Sequence, residues 1–183
     1  MAIITRSQFT SFAQSKAGSR GLRGVVNESR VYSKSTATTS IFLSHSHHDK
    51  SVVEEAKLFF ENLGISIYVD WADQTMPEST NGTTATQIKN QIISGNDKFI
   101  LLGTNSAVAS KWCNWEVGIA DPFKLRSKKI ALLPLADNSG TWNGTEYLQI
   151  YPRIERITTN LGTNYFVCYP DGSSERLEVW LRR

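Results

Sequence analysis

All three histidines of this 183-residue chain lie within four positions, as His45, His47 and His48, and Asp49 follows them directly. Imidazole nitrogens and a carboxylate at this spacing could supply half of a dinuclear zinc site in a hydrolase. Such a site needs at least two more histidines from later strands, and the chain contains only 3 in total. Where a further ligand would stand there is a cation, Lys50. The sequence therefore predicts no metal site. The histidines are either polar loop residues or one wall of a binding pocket.

A second group of residues that could take part in binding or catalysis lies in the stretch "SKWCNWE". Ser110 has the side chain that caps the start of a helix. Trp112 and Glu116 then share one face of that helix because they are four residues apart. Trp115 and Ile119 form a pair on another face, which is better suited to the core. A carboxylate one turn from an indole ring is, in isolation, more often an ordinary feature of an exposed helix, so the neighbouring elements decide between the two interpretations.

The elements that would position these residues follow a regular rhythm from residue 40 onwards. Short apolar runs alternate with segments in which apolar residues recur every three or four positions. This rhythm is typical of a parallel sheet that is covered on both faces. The sequence predicts strands at 40–46, 65–71, 98–104, 128–136 and 164–170, and helices at 49–64, 84–95, 110–120 and 173–183.

The predicted fold is α/β, a doubly wound, flavodoxin-like, five-stranded parallel sheet with helices on both faces. Residues 137–160 give no clear pattern, because Gly, Asn and Pro interrupt their apolar residues. Sheets of this kind bind ligands at the carboxyl ends of their strands. The stretch "SHSHHD" follows the first predicted strand, and it therefore lies where a site is expected.

The composition is that of a globular domain, with 40% hydrophobic and 20% charged residues. No apolar run approaches the roughly 18 residues that cross a bilayer, and no hydrophobic block near the start indicates a signal peptide. Cys113 and Cys168 lie far apart in the sequence, which favours reduced thiols over a disulfide. These features predict a cytoplasmic protein with no membrane partner.

The net charge of +3 is unevenly distributed. Residues 1–40 contain six Lys or Arg side chains and one acid, and they are rich in Ser, Thr and Gly. This composition predicts a basic, weakly ordered N-terminal extension at 1–38, with a short helix around "SQFTSFAQ", ahead of the main domain at 39–183. A solvated tail is the preferred interpretation of the extension. A nucleic-acid or other anionic partner and an organelle transit peptide are the alternatives.

Three stretches, in this order, resemble the sequence boxes of the TIR (Toll/interleukin-1 receptor) domain family. They are "IFLSHSHHDK", then "GISIYVDW" followed by a long loop that contains Pro77, and then "SKWCNWE", which matches the family pattern Ser-x-Trp-Cys-x-x-Glu. The resemblance covers about residues 39 to 183. Glu116 stands four residues after Trp112, and in this respect the chain is similar to the family members, many of them bacterial, that cleave NAD+.

The resemblance implies that Glu116 is the catalytic residue of an NAD+ nucleosidase or cyclase, which breaks the bond between nicotinamide and ribose. Nicotinamide leaves as a neutral base, so one carboxylate that stabilises the oxocarbenium-like ribose is sufficient. NAD+ is then the substrate, and neither a cofactor nor a metal is expected. The residues that the resemblance implies for binding NAD+ are Ser44, His45, His47, Asp70, Trp71 and Trp112.

The resemblance also implies bacterial antiphage defence of the Thoeris type, in which ADP-ribose, a cyclic isomer or a conjugate signals to a separate effector protein. Self-association through the loop 72–83 is expected. Two alternatives stay open. A non-catalytic TIR–TIR interaction module would use the same loop as a scaffold and leave Glu116 idle. A response-regulator-like domain would need a pair of acids after the first strand, where only Asp49 stands.

Overall fold

The computed structural model describes residues 3–17, 39–61, 63, 65–69, 82–144, 146–160 and 162–183. In this part of the chain eight strands form a sheet. They are β1 (Ile4–Thr5), β2 (Ser40–Ser44), β3 (Ser66–Tyr68), β4 (Lys98–Gly103), β5 (Ile130–Ala136), β6 (Arg153–Thr159), β7 (Gly162–Cys168) and β8 (Ser174–Arg176).

The centre of the sheet is parallel. Five strands lie side by side in the order β3, β2, β4, β5, β6. Because β3 lies on one side of β2 and β4 on the other, the order of the strands reverses at β2, as it does in a doubly wound fold. The predicted fold class is therefore confirmed. β7 and β8 extend the sheet with antiparallel pairs, and β1 pairs in parallel with the end of β5.

Helices cover both faces of the sheet, as predicted. Within the described ranges, no helix is both long enough and apolar enough to span a bilayer. The helices are α1 (Arg6–Ala17), α2 (Lys50–Glu61), α3 (Gly82–Asn90, continued by a π-helical turn at Gln91–Gly95), α4 (Asn105–Ala109), α5 (Lys111–Lys124) and α6 (Leu177–Arg182). Two 3₁₀ turns, at His47–Asp49 and Glu146–Ile150, complete the described elements.

The sheet separates two hydrophobic clusters, because side chains alternate between its faces along each strand. In β4, Ile100 and Leu102 belong to the cluster that includes residues of α1, α2 and α6. Phe99 and Leu101 belong to the cluster that includes residues of α3, α4 and α5. Every residue of β4 and β5 is buried. Such strands are near-continuous apolar runs, and for this reason the sequence locates them well.

The fifth parallel strand is not the predicted one. It is β6, which lies in the region 137–160 that gave no clear pattern, and the predicted strand at 164–170 is the antiparallel β7. β6 reads "RIERITT" and pairs with β5 only at its start, where Arg153 lies opposite Leu132. The rest of β6 pairs with β7 alone, and it carries charged residues. These charges hide the run of apolar residues by which a strand is recognised in the sequence. The last helix is also shorter than predicted, since Ser174–Arg176 form β8 before α6 begins.

The N-terminal segment packs into the main core. β1 pairs with the end of β5, and the ring centroid of Phe9 in α1 lies 5.5 Å from that of Phe59 in α2. Ile4 and Phe9 are both buried in the cluster that α2 lines. The short predicted helix is thus present and longer than expected. Residues 3–17 thus contribute side chains to the hydrophobic core, although they precede the domain predicted at 39–183. Residues 18–38 lie outside the described residues.

Phe9→Ala tests whether this segment belongs to the folded unit. Removing a fully buried ring from a packed cluster is expected to lower the free energy of unfolding by about 3–5 kcal/mol. Ser11→Ala, at an exposed position of the same helix, is expected to change it by less than about 0.5 kcal/mol. Urea denaturation of the two variants and the wild type makes the measurement. Equal stabilities of all three proteins would contradict the packing of α1 on the core.

The amino end of β4 buries a cation. Lys98 is 1% exposed, and its Nζ donates a hydrogen bond to the main-chain oxygen of Arg183 at 2.9 Å. The same Nζ lies 4.7 Å from the centroid of the Trp180 ring. Burial, together with the positive charges of Lys129 and Arg183, lowers the pKa of Lys98 from 10.5 to about 8. The charged form is therefore less favourable in the folded protein than in the unfolded chain.

This lowered pKa predicts how stability changes with pH. Between about pH 8 and 10.5 the folded protein has released the Lys98 proton and the unfolded chain still holds it. Because the unfolded state binds more protons in this window, the contribution of Lys98 to stability rises with pH. We expect the stability of the wild type relative to Lys98→Met to increase across the window in urea titrations. A difference between the two proteins that is independent of pH would contradict the lowered pKa.

Candidate functional site

The turn after β2 begins and ends with buried polar residues. Ser44 is the last residue of β2, and Ser46 caps the 3₁₀ turn that leads through Asp49 into α2. Ser46 Oγ accepts a hydrogen bond from the His48 N–H at 3.4 Å, and the Asp49 N–H donates to the Ser46 carbonyl at 2.9 Å. Ser44, Ser46 and Asp49 are buried, whereas His47 and His48 are exposed. Polar groups thus line the carboxyl end of β2, as predicted.

Glu116 reaches this turn from α5. The helix begins after Ser110, whose Oγ accepts a hydrogen bond from the Cys113 N–H at 3.3 Å. Glu116 is 2% exposed, and the Ser44 hydroxyl donates to its Oε2 at 2.5 Å. Ser44 faces α5 because it stands two residues after Phe42, which packs in the cluster on that side of the sheet. Two residues 72 positions apart in sequence therefore meet at the carboxyl edge of the sheet.

The Glu116 carboxylate lies against an apolar layer. Its neighbours on the inward face of α5, Cys113, Val117 and Ala120, belong to the cluster under the sheet. A buried carboxylate is costly unless hydrogen bonds satisfy it, and a hydrogen bond to a charged acceptor is short and strong. The Ser44 hydroxyl meets part of this requirement. In its ionised form, the Glu116 side chain can stabilise a positive charge that develops next to it.

The two tryptophans of α5 differ in burial. Trp112 is half-buried and packs against the same cluster as Cys113, so the predicted common face of Trp112 and Glu116 is compatible with the structure. Trp115 is 38% exposed, and its expected place in the core is wrong. Its ring lies 5.0 Å from that of Trp112, centroid to centroid. The interior beneath α5 is already filled by Cys113 and Val117, so Trp115 packs on its neighbour at the surface.

A second buried carboxylate lies at the far end of the turn. Asp49 Oδ2 accepts a hydrogen bond from Thr104 Oγ1 at 2.5 Å, and the same Oγ1 accepts one from the Ala107 N–H at 3.0 Å. Thr104 directly follows β4 and caps α4. The bond therefore joins the carboxyl ends of β2 and β4. No site was predicted at Thr104, although a threonine between an apolar run and a helix is a recognisable N-cap signal.

Cys113 is a buried free thiol in this group. Burial raises its pKa to about 11, and the charges of Glu116 and Asp49 act in the same direction. Hydrogen bonds with the Ser110 and Ser44 side chains offset a part of this shift. The thiol therefore stays protonated near neutral pH.

The three histidines occupy different environments. His45 is half-buried, and its Nδ1 lies 2.9 Å from the Leu43 carbonyl, so Nδ1 carries the proton in that hydrogen bond. His47 and His48 are exposed, with ring centroids 5.2 Å apart. Among the residues that the structure describes, no group of three or more His, Cys, Asp or Glu is arranged to hold a metal ion. The turn thus presents imidazoles beside the buried acids.

Some predicted binding residues fall outside this description. Asp70 and Trp71 lie outside the described residues, as do positions 72–81 of the predicted self-association loop. Gly82 and Thr83, the last two positions of that loop, begin α3. The structure therefore brings Ser44, His45 and His47 to the same edge as Glu116, and it does not test the other two side chains.

An aromatic residue that the sequence did not single out also lies at this edge. Trp142, in the loop after β5, donates from Nε1 to the Gly103 carbonyl at the end of β4, at 2.6 Å. Its ring packs against the same cluster as Trp112. The loop is held by Asp137, whose Oδ1 accepts the N–H groups of Ser139 and Thr141 at 2.9 Å each. An Asp-x-Ser-Gly turn after a predicted strand was the available signal for a rigid loop.

Comparison with known proteins finds similar sequences. The sequence profile of the TIR domain matches residues 41–156, which is more than half of the chain. A probable 3' cyclic ADP-D-ribose synthase, ThsB', of Bacillus cereus (strain MSX-D12) is 35% identical to this chain over 122 residues. The match covers 64% of this chain and 61% of that protein, so the chain spans less than two thirds of the length of this relative.

Ser44→Ala removes the hydroxyl that donates to Glu116. Because a buried carboxylate then loses a hydrogen bond to a charged group, we expect the free energy of unfolding to fall by about 1.5–3 kcal/mol. The same change is expected to cost less in a Glu116→Gln background, where an uncharged amide replaces the carboxylate. Urea denaturation of the wild type, both single variants and the double variant gives the coupling energy. Strictly additive effects would show that the two side chains do not interact.

Proposed function

The chain belongs to the TIR domain family, and on this premise we propose that it is an enzyme that cleaves NAD+ at the bond between nicotinamide and ribose. Glu116 is the catalytic residue in this proposal. The observation that carries it is the buried Glu116 carboxylate, held by Ser44 at the carboxyl edge of the parallel sheet. A buried carboxylate held in one orientation at a ligand-binding edge suits a reaction in which positive charge develops on a sugar.

The chemistry requires one bond to break and one to form. The bond between ribose C1' and the nicotinamide nitrogen breaks, and its electron pair leaves with nicotinamide, which changes from a cationic to a neutral ring. The ribose becomes oxocarbenium-like, and Glu116 stabilises this charge electrostatically. A nucleophile then bonds to C1' and loses a proton. Water gives ADP-ribose, and an acceptor atom of the same molecule gives a cyclic ADP-ribose.

Other residues of the site bind and orient NAD+ in this proposal. Trp112, one turn before Glu116, bounds the nicotinamide–ribose end of the pocket with its ring. Ser44 keeps the carboxylate in one orientation, and His45 and His47 line the opposite wall towards the diphosphate. Asp70 and Trp71 also bind NAD+ in this proposal. NAD+ is the substrate in this scheme, and no cofactor takes part.

The product is proposed to be a cyclic ADP-ribose. The name of the Bacillus cereus relative supports this choice over plain hydrolysis. We further propose that the product is a signal in bacterial antiphage defence, and that a separate effector protein in the cytoplasm binds it. Self-association through the loop 72–83 would bring two copies together during catalysis. No described contact favours the scaffold alternative, in which Glu116 would have no function.

The test measures NAD+ consumption by the purified full chain at high concentration, with products separated by chromatography. Glu116→Gln is expected to reduce the rate at least about 100-fold, because it removes the charge that stabilises the transition state. Glu55→Gln is the matched control. Glu55 is also a buried glutamate that accepts a hydroxyl hydrogen bond, from Thr10 at 3.0 Å, but it lies on α2, next to the cluster on the other face of the sheet.

The outcomes are distinct. Cleavage by the wild type and by Glu55→Gln, together with loss in Glu116→Gln, would support the proposal. The mobility of the product would then separate cyclic ADP-ribose from ADP-ribose. Equal cleavage by the wild type and Glu116→Gln would remove Glu116 from the catalytic step. No NAD+ consumption by the wild type, even at concentrations that enforce self-association, would favour the interaction module.

A further inference from the structure

The turn that carries the three histidines is tied at both of its ends. At its start, the Ser44 hydroxyl donates to Glu116 on α5. At its end, Asp49 accepts from the Thr104 hydroxyl at the end of β4. Within the turn, Ser46 accepts from the N–H groups of His48 and Asp49, and His45 donates to the Leu43 carbonyl. The hydrogen bond to Thr104 joins the end of the turn to the residue that follows β4.

The Thr104 hydroxyl both donates and accepts a hydrogen bond. Its single proton goes to Asp49 Oδ2 at 2.5 Å, and one lone pair accepts the Ala107 N–H at 3.0 Å. Asp49 is 2% exposed, so its carboxylate depends on partners inside the protein. A hydroxyl held from both sides has one orientation. The direction of the bond to Asp49 is thereby set by the N-cap of α4.

This bond crosses the position where a doubly wound sheet opens its crevice. β2 has β3 on one side and β4 on the other, so the order of the strands reverses at β2. Ligands of such sheets bind outside the carboxyl ends of the strands at this position. Asp49 follows β2 and Thr104 follows β4, and their hydrogen bond therefore connects the two sides of the crevice, at the end of the turn that carries the exposed imidazoles of His47 and His48.

We propose that Asp49 and Thr104 are positioning residues that set the affinity of the site for NAD+. They act through the turn that ends at Asp49, by holding His45 and His47 at the distance from the crevice that the diphosphate requires. This inference rests on the proposed function, and it adds two residues that the family resemblance did not assign to the site. Neither residue touches the ribose in this scheme.

The two hydrogen bonds are expected to affect different steps, the Asp49–Thr104 bond substrate binding and the Ser44–Glu116 bond the catalytic step. The tie that orients the catalytic carboxylate is the Ser44–Glu116 bond, which belongs to the start of the turn. Loss of the Asp49–Thr104 bond frees the end of the turn and leaves that first tie in place. The expected consequence is a weaker hold on the substrate at an almost unchanged rate of the bound complex, which appears as a higher KM with a similar kcat.

Thr104→Val is the principal test, because valine keeps the shape of threonine and lacks the hydroxyl. We expect it to raise KM for NAD+ about tenfold or more, while kcat changes less than about threefold. Thr104→Ser restores the hydroxyl and is expected to restore KM to within about twofold of the wild type. Thr10→Val is the control for general loss of stability, since it removes a hydroxyl donor to the buried Glu55 on the other face of the sheet. It is expected to lower Tm and leave KM unchanged.

A second readout does not depend on turnover. In the Glu116→Gln background, NAD+ binding by calorimetry is expected to weaken about tenfold when Thr104→Val is added, and to recover with Thr104→Ser. If the wild type cleaves NAD+ and Thr104→Val leaves both KM and this Kd unchanged, the positioning inference is overturned while the proposed function stands. If the wild type neither cleaves nor binds NAD+, the proposed function itself fails. A fall of Tm alone, equal to that of Thr10→Val, would assign Thr104 a purely structural function.

Discussion

Burial of the central strands on both faces is the constraint on which the rest of this structure depends. β4 and β5 have no exposed residue, and helices enclose them from both sides. A polar side chain in the middle of such a strand would have no water and few partners. Polar groups are therefore restricted to the ends of the strands, Ser44 and Thr104 at the carboxyl edge and Lys98 at the amino edge. The location of the candidate site follows from this restriction.

The carboxyl edge combines two buried acids, and each is held by a hydroxyl from another element. Glu116 of α5 is bonded to β2, and Asp49 at the start of α2 is bonded to the end of β4. Loss of either hydroxyl would leave a buried acid with one hydrogen bond fewer, so each bond helps to hold two elements in one relative position. The energy that offsets this arrangement comes from the two hydrophobic clusters. The candidate site is therefore held in one arrangement by the packed core on both faces of the sheet.

The N-terminal segment shows that the folded unit is larger than the matched family region. That region begins at residue 41, yet Ile4 and Phe9 are buried in the cluster beneath α1 and α2. Arg6 also donates to Ser51, and Thr10 to Glu55. The basic, Ser-rich composition that suggested a tail describes the average of 38 residues, and it hides two large apolar side chains near the start. A few buried residues are sufficient to attach a segment whose overall composition is polar.

The sequence by itself determined the class of the fold, the strands at its centre, the helix that carries Glu116 and the spacing of Glu116 from Trp112. These features are local, because burial on both faces produces apolar runs and a helix places every fourth residue on one side. Only the tertiary structure decided that Ser44 meets Glu116 and that Asp49 meets Thr104, across 72 and 55 positions of sequence. It also decided that the fifth parallel strand is the charged β6 and that the first turns of the chain join the core. Contacts of this range depend on strand order and on which face each residue occupies, and no periodicity within a single segment encodes which distant segment lies beside it.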